Sequence, residues 1–137
     1  LGPNASTRLI KQVTDGAEAK ITSDGNDLRM VNTLLVATED GSAVVVGTIV
    51  NAAETADTLL GIYAGGTQAK ITGETTLNQN QPIIFEGDSA TTKGVFAGVG
   101  AEPGKHVTVT FAFARAGKVS LDVIIRDKRD DYAKVTA

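Results

Sequence analysis

The sequence predicts an all-β protein, a two-sheet β-sandwich of about seven to nine short strands with Greek-key connections. Three observations predict it. Apolar residues alternate with polar ones at period two along several runs rich in Val, Ile and Thr. Those runs are separated by Gly, Asp and Asn, the residues that turns demand. Helical periodicity is poor throughout; only Asn51 to Asp57 could hold a single turn, and a piece that short is marginal alone.

The strands follow in order. Leu9 to Val13 is a short candidate. Leu28 to Thr38 is the first long one, preceded by the turn Asp24-Gly25-Asn26. Ala43 to Val50 follows across Glu39-Asp40-Gly41-Ser42, so the two runs read as a β-hairpin. Thr58 to Tyr63 is ended by Gly65-Gly66, and Gln68 to Ile71, Pro82 to Phe85 and Val95 to Val99 are shorter pieces. The clearest signal is last. Val107, Val109, Phe111 and Phe113 share one face of His106 to Arg115, with Thr108, Thr110 and Ala112 on the other. Ala116-Gly117 turns the chain, and Val119, Leu121, Val123 and Ile125 alternate in the return strand. Two such strands form a hairpin over a core.

A length of 137 residues fits one domain, expected to span 1–137 with flexible ends at about 1–7 and 127–137. Apolar residues make up 42% and charged residues 21%, a globular balance. The net charge of −3 and a pI near 5.1 argue against nucleic acid and against a strongly anionic membrane surface. No apolar run approaches the roughly 18–20 residues that span a bilayer. The start at Leu1-Gly2-Pro3 without methionine reads as a processed or trimmed N-terminus.

Candidate chemical groups are few. There is no cysteine, one histidine and one methionine. A Ser–His–acid arrangement would need His106 as its base, and alternation with Val107 puts His106 on the solvent side of its strand. No carboxylate pair has an interpretable acid–base spacing, so no catalytic residue is assigned and no enzyme is expected. Gly65-Gly66 and Gly94 to Gly104 lack phosphate-loop fingerprints and read as turns. Asp24, Asn26 and Asp27 lack the ligand spacing of a calcium loop. Asn4-Ala5-Ser6 fits a glycosylation triplet, which is too common to carry weight.

Two segments together resemble a known family. Ala56-Asp57-Thr58-Leu59-Leu60-Gly61 resembles the "A-D-x-L-x-G" strand of the periplasmic copper chaperones called PCu(A)C, with Asn51 at that family's "t-N" strand end. Gly104-Lys105-His106-Val107-Thr108-Val109-Thr110-Phe111, continuing through Phe113 and Ala116-Gly117-Lys118-Val119, resembles its terminal hairpin, and the likeness covers roughly Ala43 to Arg126. It implies a cupredoxin-like or immunoglobulin-like sandwich and an exported protein. The chain as a whole, including Val13-Thr14-Asp15-Gly16-Ala17 ahead of the first long strand, is similar to the lipoprotein branch found in actinobacteria, a resemblance that would fit a lipid anchor upstream on the outer face of the cell membrane.

The family binds Cu(I) through soft thioether and imidazole ligands. Its first histidine falls here near Ile71-Thr72-Gly73, and its His-x-Met pair aligns with Lys93-Gly94-Val95. The sequence therefore predicts the scaffold without its copper site and without a cofactor. The expected function is a non-catalytic cell-envelope binding or accessory domain, a monomer. The loops through Glu74, Thr75, Thr76 and Thr92, Lys93 would contact an envelope protein, lipid or glycan. The alternative is a metallochaperone that holds copper through atypical ligands, with His106 and Met30 as the candidates.

Overall fold

The computed structural model describes residues 16–128 and 132–137. Eleven strands run in chain order: β1 Ala17–Ile21, β2 Leu28–Ala37, β3 Ala43–Asn51, β4 Asp57–Ala64, β5 Thr67–Gln68, β6 Lys70–Gly73, β7 Thr76–Leu77, β8 Ile83–Phe85, β9 Thr92–Phe96, β10 His106–Phe113 and β11 Gly117–Arg126. One 3-10 turn, Ser23–Gly25, completes the described elements. The fold class is as expected, but the strands outnumber the seven to nine anticipated. The additions are small. The expected strand at Gln68 to Ile71 divides into β5 and β6, and β7 is a two-residue pairing with Asp57 and Thr58. β1 hides its period-two pattern in small residues, since Ala17, Ala19 and Ile21 are the half-buried positions between exposed Glu18 and Lys20. The candidate at Leu9 to Val13 lies outside the described residues.

Nine strands follow one path, β5-β4-β10-β11-β2-β3-β8-β9-β6, with β1 added on β2 and β7 on β4. One layer is the antiparallel set β4–β10–β11, in which Val109 faces Leu121 and Phe111 faces Val119. The other is built on the hairpin β2–β3, where Ala37 pairs Ala43 across the Glu39–Ser42 turn. The layers join where β11 runs parallel to β2 at Ile125↔Leu35. On the opposite side, the segment through Thr67 and Gly73 leaves β4, donates Ala69 N–H to Ile62 O at 2.8 Å, and pairs with β9. The sandwich is thereby closed like a barrel, which removes most of the bare strand edge.

The core faces are those the alternation predicts. Val109, Phe111, Phe113, Leu121, Val123 and Ile125 are all buried and pack with Leu28, Met30, Ile49, Leu59, Ile62 and Phe85. β2 needs a correction to simple alternation. Val31 pairs Thr48 but Leu34 pairs Val46, so Asn32 and Thr33 together oppose Gly47. Asn32 sits at φ 54° and Gly47 at φ 144°, the signature of a β-bulge. The bulge changes which residues point inward. Met30 precedes it in the core, Leu35 and Ala37 follow in the core, and Leu34 and Val36 turn to the outer face. There they are buried with Val44 by Val135, so part of the stretch expected to be a solvated end is packed on the sheet. The segment from Asn51 to Asp57, the one place where a single helical turn could have formed, has no helix, in keeping with the poor helical periodicity.

Candidate functional site

The predicted binding residues lie at one end of the sandwich. β6 pairs with the start of β9, Gly73 facing Thr92, and this brings the 74–76 turn beside Thr92. The Thr92 hydroxyl donates to Glu74 O at 2.7 Å and lies 2.9 Å from the Thr91 hydroxyl. Ile84 N–H donates to Thr91 Oγ1 at 3.0 Å, tying in β8. Glu74 Oε1 accepts the N–H groups of Thr76 and Thr75 at 2.9 and 3.1 Å. Those donors, the Thr76 N–H foremost, hold the exposed carboxyl below the usual carboxylate range, because they stabilise its charged form. Gly73 is required at this turn. Its φ is +100°, and a Cβ there would stand 2.4 Å from Thr91 O.

Glu74, Thr75, Thr76 and Thr92 thus form one hydrogen-bonded turn, its exposed carboxylate held by backbone N–H groups and its backbone anchored from beneath by Thr92, itself only 5% exposed. Lys93 is not part of it. As the next residue of β9 it points to the other face, where its ammonium pairs with Glu86 Oε2 at 3.0 Å and also donates to Thr136 O. Gly94 faces the interior, since a Cβ there would meet Val45, Ile62 and Phe85 at 3.3–3.5 Å.

His106 and Met30 are not brought together. His106 stands at the start of β10 with a half-exposed side chain, its Nδ1 3.6 Å from Asp122 Oδ2. Met30 is 2% exposed and faces the core from β2. His106 pairs Ile124, next to the Ile125↔Leu35 contact, and Met30 lies five residues down β2 from Leu35. That is about 16 Å along the strand, on the opposite side of a sheet layer. Among the described residues no group of three or more His, Asp or Glu is placed to hold a metal ion.

Two structurally central residues had no role in the sequence reading beyond their place in motifs. Asp57 is 3% exposed, and its Oδ1 accepts N–H from Thr58 at 2.8 Å and Arg115 at 2.7 Å, while Oδ2 accepts that of Ala116 at 3.0 Å. It therefore fixes the β10–β11 turn from across the sheet. Asn51, 1% exposed, donates to Thr55 O and Leu77 O at 3.0 and 2.8 Å and accepts from Ala53 N–H. It shapes the 51–57 loop and holds β7 in place. A buried polar side chain must find such partners; the visible signal was a lone Asp and a lone Asn bordering apolar strands.

No family model and no curated protein sequence matches the chain. Solved structures do. The apo PCuAC domain from PmoF1 superposes with a TM-score of 0.65 at 24% identity, covering 81% of this chain and 99% of that one. The copper-bound PCuAC domain from PmoF2 gives 0.64 at 16% identity over 81% and 98%. The apo form of that PmoF2 domain gives 0.61 at 17% identity over 75% and 92%. This chain therefore has the cupredoxin-like β-sandwich fold of the PCuAC domains.

Proposed function

We propose that the chain is a non-catalytic, extracytoplasmic binding or accessory domain that uses a copper-chaperone-like scaffold for a contact other than the family's copper site. One observation carries this reading. The stretch that aligns with the His-x-Met pair supplies a lysine engaged with Glu86, a glycine packed in the interior, and a valine. None of these is a soft ligand for Cu(I). The contact surface is the turn through Glu74, Thr75 and Thr76, which buried Thr92 holds in place. Its fixed, exposed carboxylate suits a polar partner, an envelope protein or a glycan ahead of a lipid.

The location belongs to the same proposal. Among the described residues no helix is long and apolar enough to cross a membrane, and the likeness of Val13–Ala17 to the actinobacterial lipoprotein branch supports an anchored protein on the outer face of the membrane. The second reading, a metallochaperone with relocated ligands, is favoured by the copper-bound state of a structural neighbour.

An anaerobic Cu(I) titration against a competing chelator separates the two. The probes are the chain and a His106→Ala, Met30→Leu variant, leucine being chosen to keep core volume. We expect neither form to compete for copper. One tightly held copper in the unmodified chain would overturn the first reading, and its loss in the variant would assign the relocated site.

A further inference from the structure

A cavity of about 430 Å3 opens at the end of the sandwich remote from the Glu74–Thr92 patch. The separation is the length of β9, from Thr92 to Phe96, or about 13 Å. Its floor is one end of the hydrophobic core, formed by Leu35, Ala43, Phe96 and Ile125, all of them buried. The cavity exists because glycines frame it. Gly65 and Gly66 make the turn on one side, and Gly100 lies in the loop on the other. A Cβ at any of the three would meet nothing within 4 Å, so no side chain plugs the end. Val99, at the mouth, is 41% exposed, one of two large apolar side chains left in water among the described residues.

The rim carries charge. Lys105 and Glu102 both border the opening. The Lys105 backbone is fixed to the floor strand, since its carbonyl accepts Ile125 N–H at 2.8 Å while Gly104 N–H donates to Ile125 O at 2.7 Å. The structure shows no ion pair of Lys105 with any carboxylate of the described residues. A lysine stem can lie along apolar walls and keep its ammonium at the mouth. A space of this size, apolar within and bearing few polar groups at its edge, is what a small-molecule site requires.

We propose that this cavity binds a single aliphatic chain bearing a carboxylate head. The chain lies over Leu35, Phe96 and Ile125, and the head meets Lys105. Glu102 borders the same opening and opposes this choice by favouring an ammonium head, so the comparison of the two head groups decides between the two rim charges. The site is independent of the loop contact proposed above, and either can fail without the other.

The test is calorimetric titration of the whole chain with octanoate, decanoate and dodecanoate below their micelle thresholds. Affinity should rise roughly fourfold per added CH2, the equivalent of about 0.8 kcal/mol each, until the cavity is filled. Decanoate should bind more tightly than decylammonium. Lys105→Gln should weaken decanoate about threefold, as loss of an exposed ion pair does. Ala101→Phe, which fills the mouth, should weaken it at least tenfold; if thermal melting shows that variant unfolded, Val99→Trp at its exposed position blocks the same opening. Glu18→Gln, an exposed change on β1, should leave decanoate affinity unchanged. Affinity independent of chain length, a preference for decylammonium, or undiminished binding by a folded mouth-filling variant would overturn the proposal.

Discussion

Replacing Asp57 should cost more stability than any other single change of a polar side chain in this sandwich. The carboxylate is buried at 3% exposure and accepts three backbone N–H groups. The bond from Thr58 is to its own neighbour and adds little across the sheet. The bonds from Arg115 and Ala116 cross from β4 to the β10–β11 turn. Each is a hydrogen bond to a charged group, worth about 1.5–3 kcal/mol, and removing the acceptor leaves its donor without a partner. Asp57→Ala should therefore destabilise by about 3–5 kcal/mol. Asp57→Asn keeps one oxygen but turns an amide donor toward one of the two N–H groups, so about 2–4 kcal/mol is expected. Urea denaturation measures both, with an unchanged slope if the unfolded state is the same. In a thermal melt, 3 kcal/mol corresponds to a fall of roughly 10–15 °C for a domain of this size. A loss below about 1 kcal/mol for Asp57→Ala would show that water takes over the turn's donors, and the reasoning would fail.

Asn51→Ala removes two donated bonds and one accepted bond from a 1% exposed site, and should destabilise by about 2–4 kcal/mol in urea. It should also release β7, raising amide exchange at Leu77 more than at Phe111. Gly73→Ala places a Cβ 2.4 Å from Thr91 O at φ +100° and should cost about 2–4 kcal/mol, whereas Gly65→Ala, with open space around it, should cost about 1 kcal/mol through its φ of +58° alone. Thr38 Oγ1 donates to Asp40 Oδ1 at 2.5 Å, and that bond, ahead of those from Ser42, holds the Asp40 carboxyl below its usual range. Because the folded value is the lowered one, as also for Glu74, any stability from these groups is full above the ordinary carboxylate range and fades as pH falls through the lowered values. Thr38→Val should move the Asp40 midpoint upward in a carboxyl-carbon NMR titration; an unmoved midpoint would refute the assigned cause.

The hairpins were legible because each has one buried face and a turn between its strands. Alternation from Val107 to Phe113 and from Val119 to Ile125 determined both the pairing and the inward residues. β2 was legible as a strand but not in its faces. Leu34-Leu35-Val36-Ala37 is a continuous apolar run, and no periodicity reveals that a bulge at Asn32 and Thr33 precedes it or that Val135 covers its outer side. The closing segment through Thr67 and Gly73 was read as a plain short strand, since a switch of partner from β4 to β9 is a long-range event that leaves no local trace. The proximity of Glu74, Thr75 and Thr76 to Thr92 follows from that same closure. Lys93 was grouped with them by sequence adjacency, yet period two sends it to the opposite face and to Glu86. The apolar cavity was signalled only by Gly65-Gly66 and the run from Gly94 to Gly104; the turn reading fails at Gly94, which lies within β9 and faces the interior, and none of these glycines was read as leaving an end unplugged.

The two segments that resemble the copper chaperones turn out to be one mechanical unit. Asp57, from the A-D-T-L-L-G strand, receives the N–H groups of Arg115 and Ala116, the turn inside the second segment. β4 lies beside β10, with Phe111 facing Ile62 and Ala112 facing Gly61. The third matched position, Asn51, closes the loop that delivers the chain to Asp57. Each of these residues holds the sandwich's own backbone, whatever the sandwich binds. A likeness carried by Asn51, Asp57 and the terminal hairpin is therefore a likeness of folding constraints, and it predicts shared architecture at identities as low as 16–24%. It carries no information about copper, because His106, the one potential copper ligand within it, does not stand where the family's ligands fall. The metal question rests on different positions, those around Lys93, and the Asp57 variants and the Cu(I) titration accordingly test separate properties of the same chain.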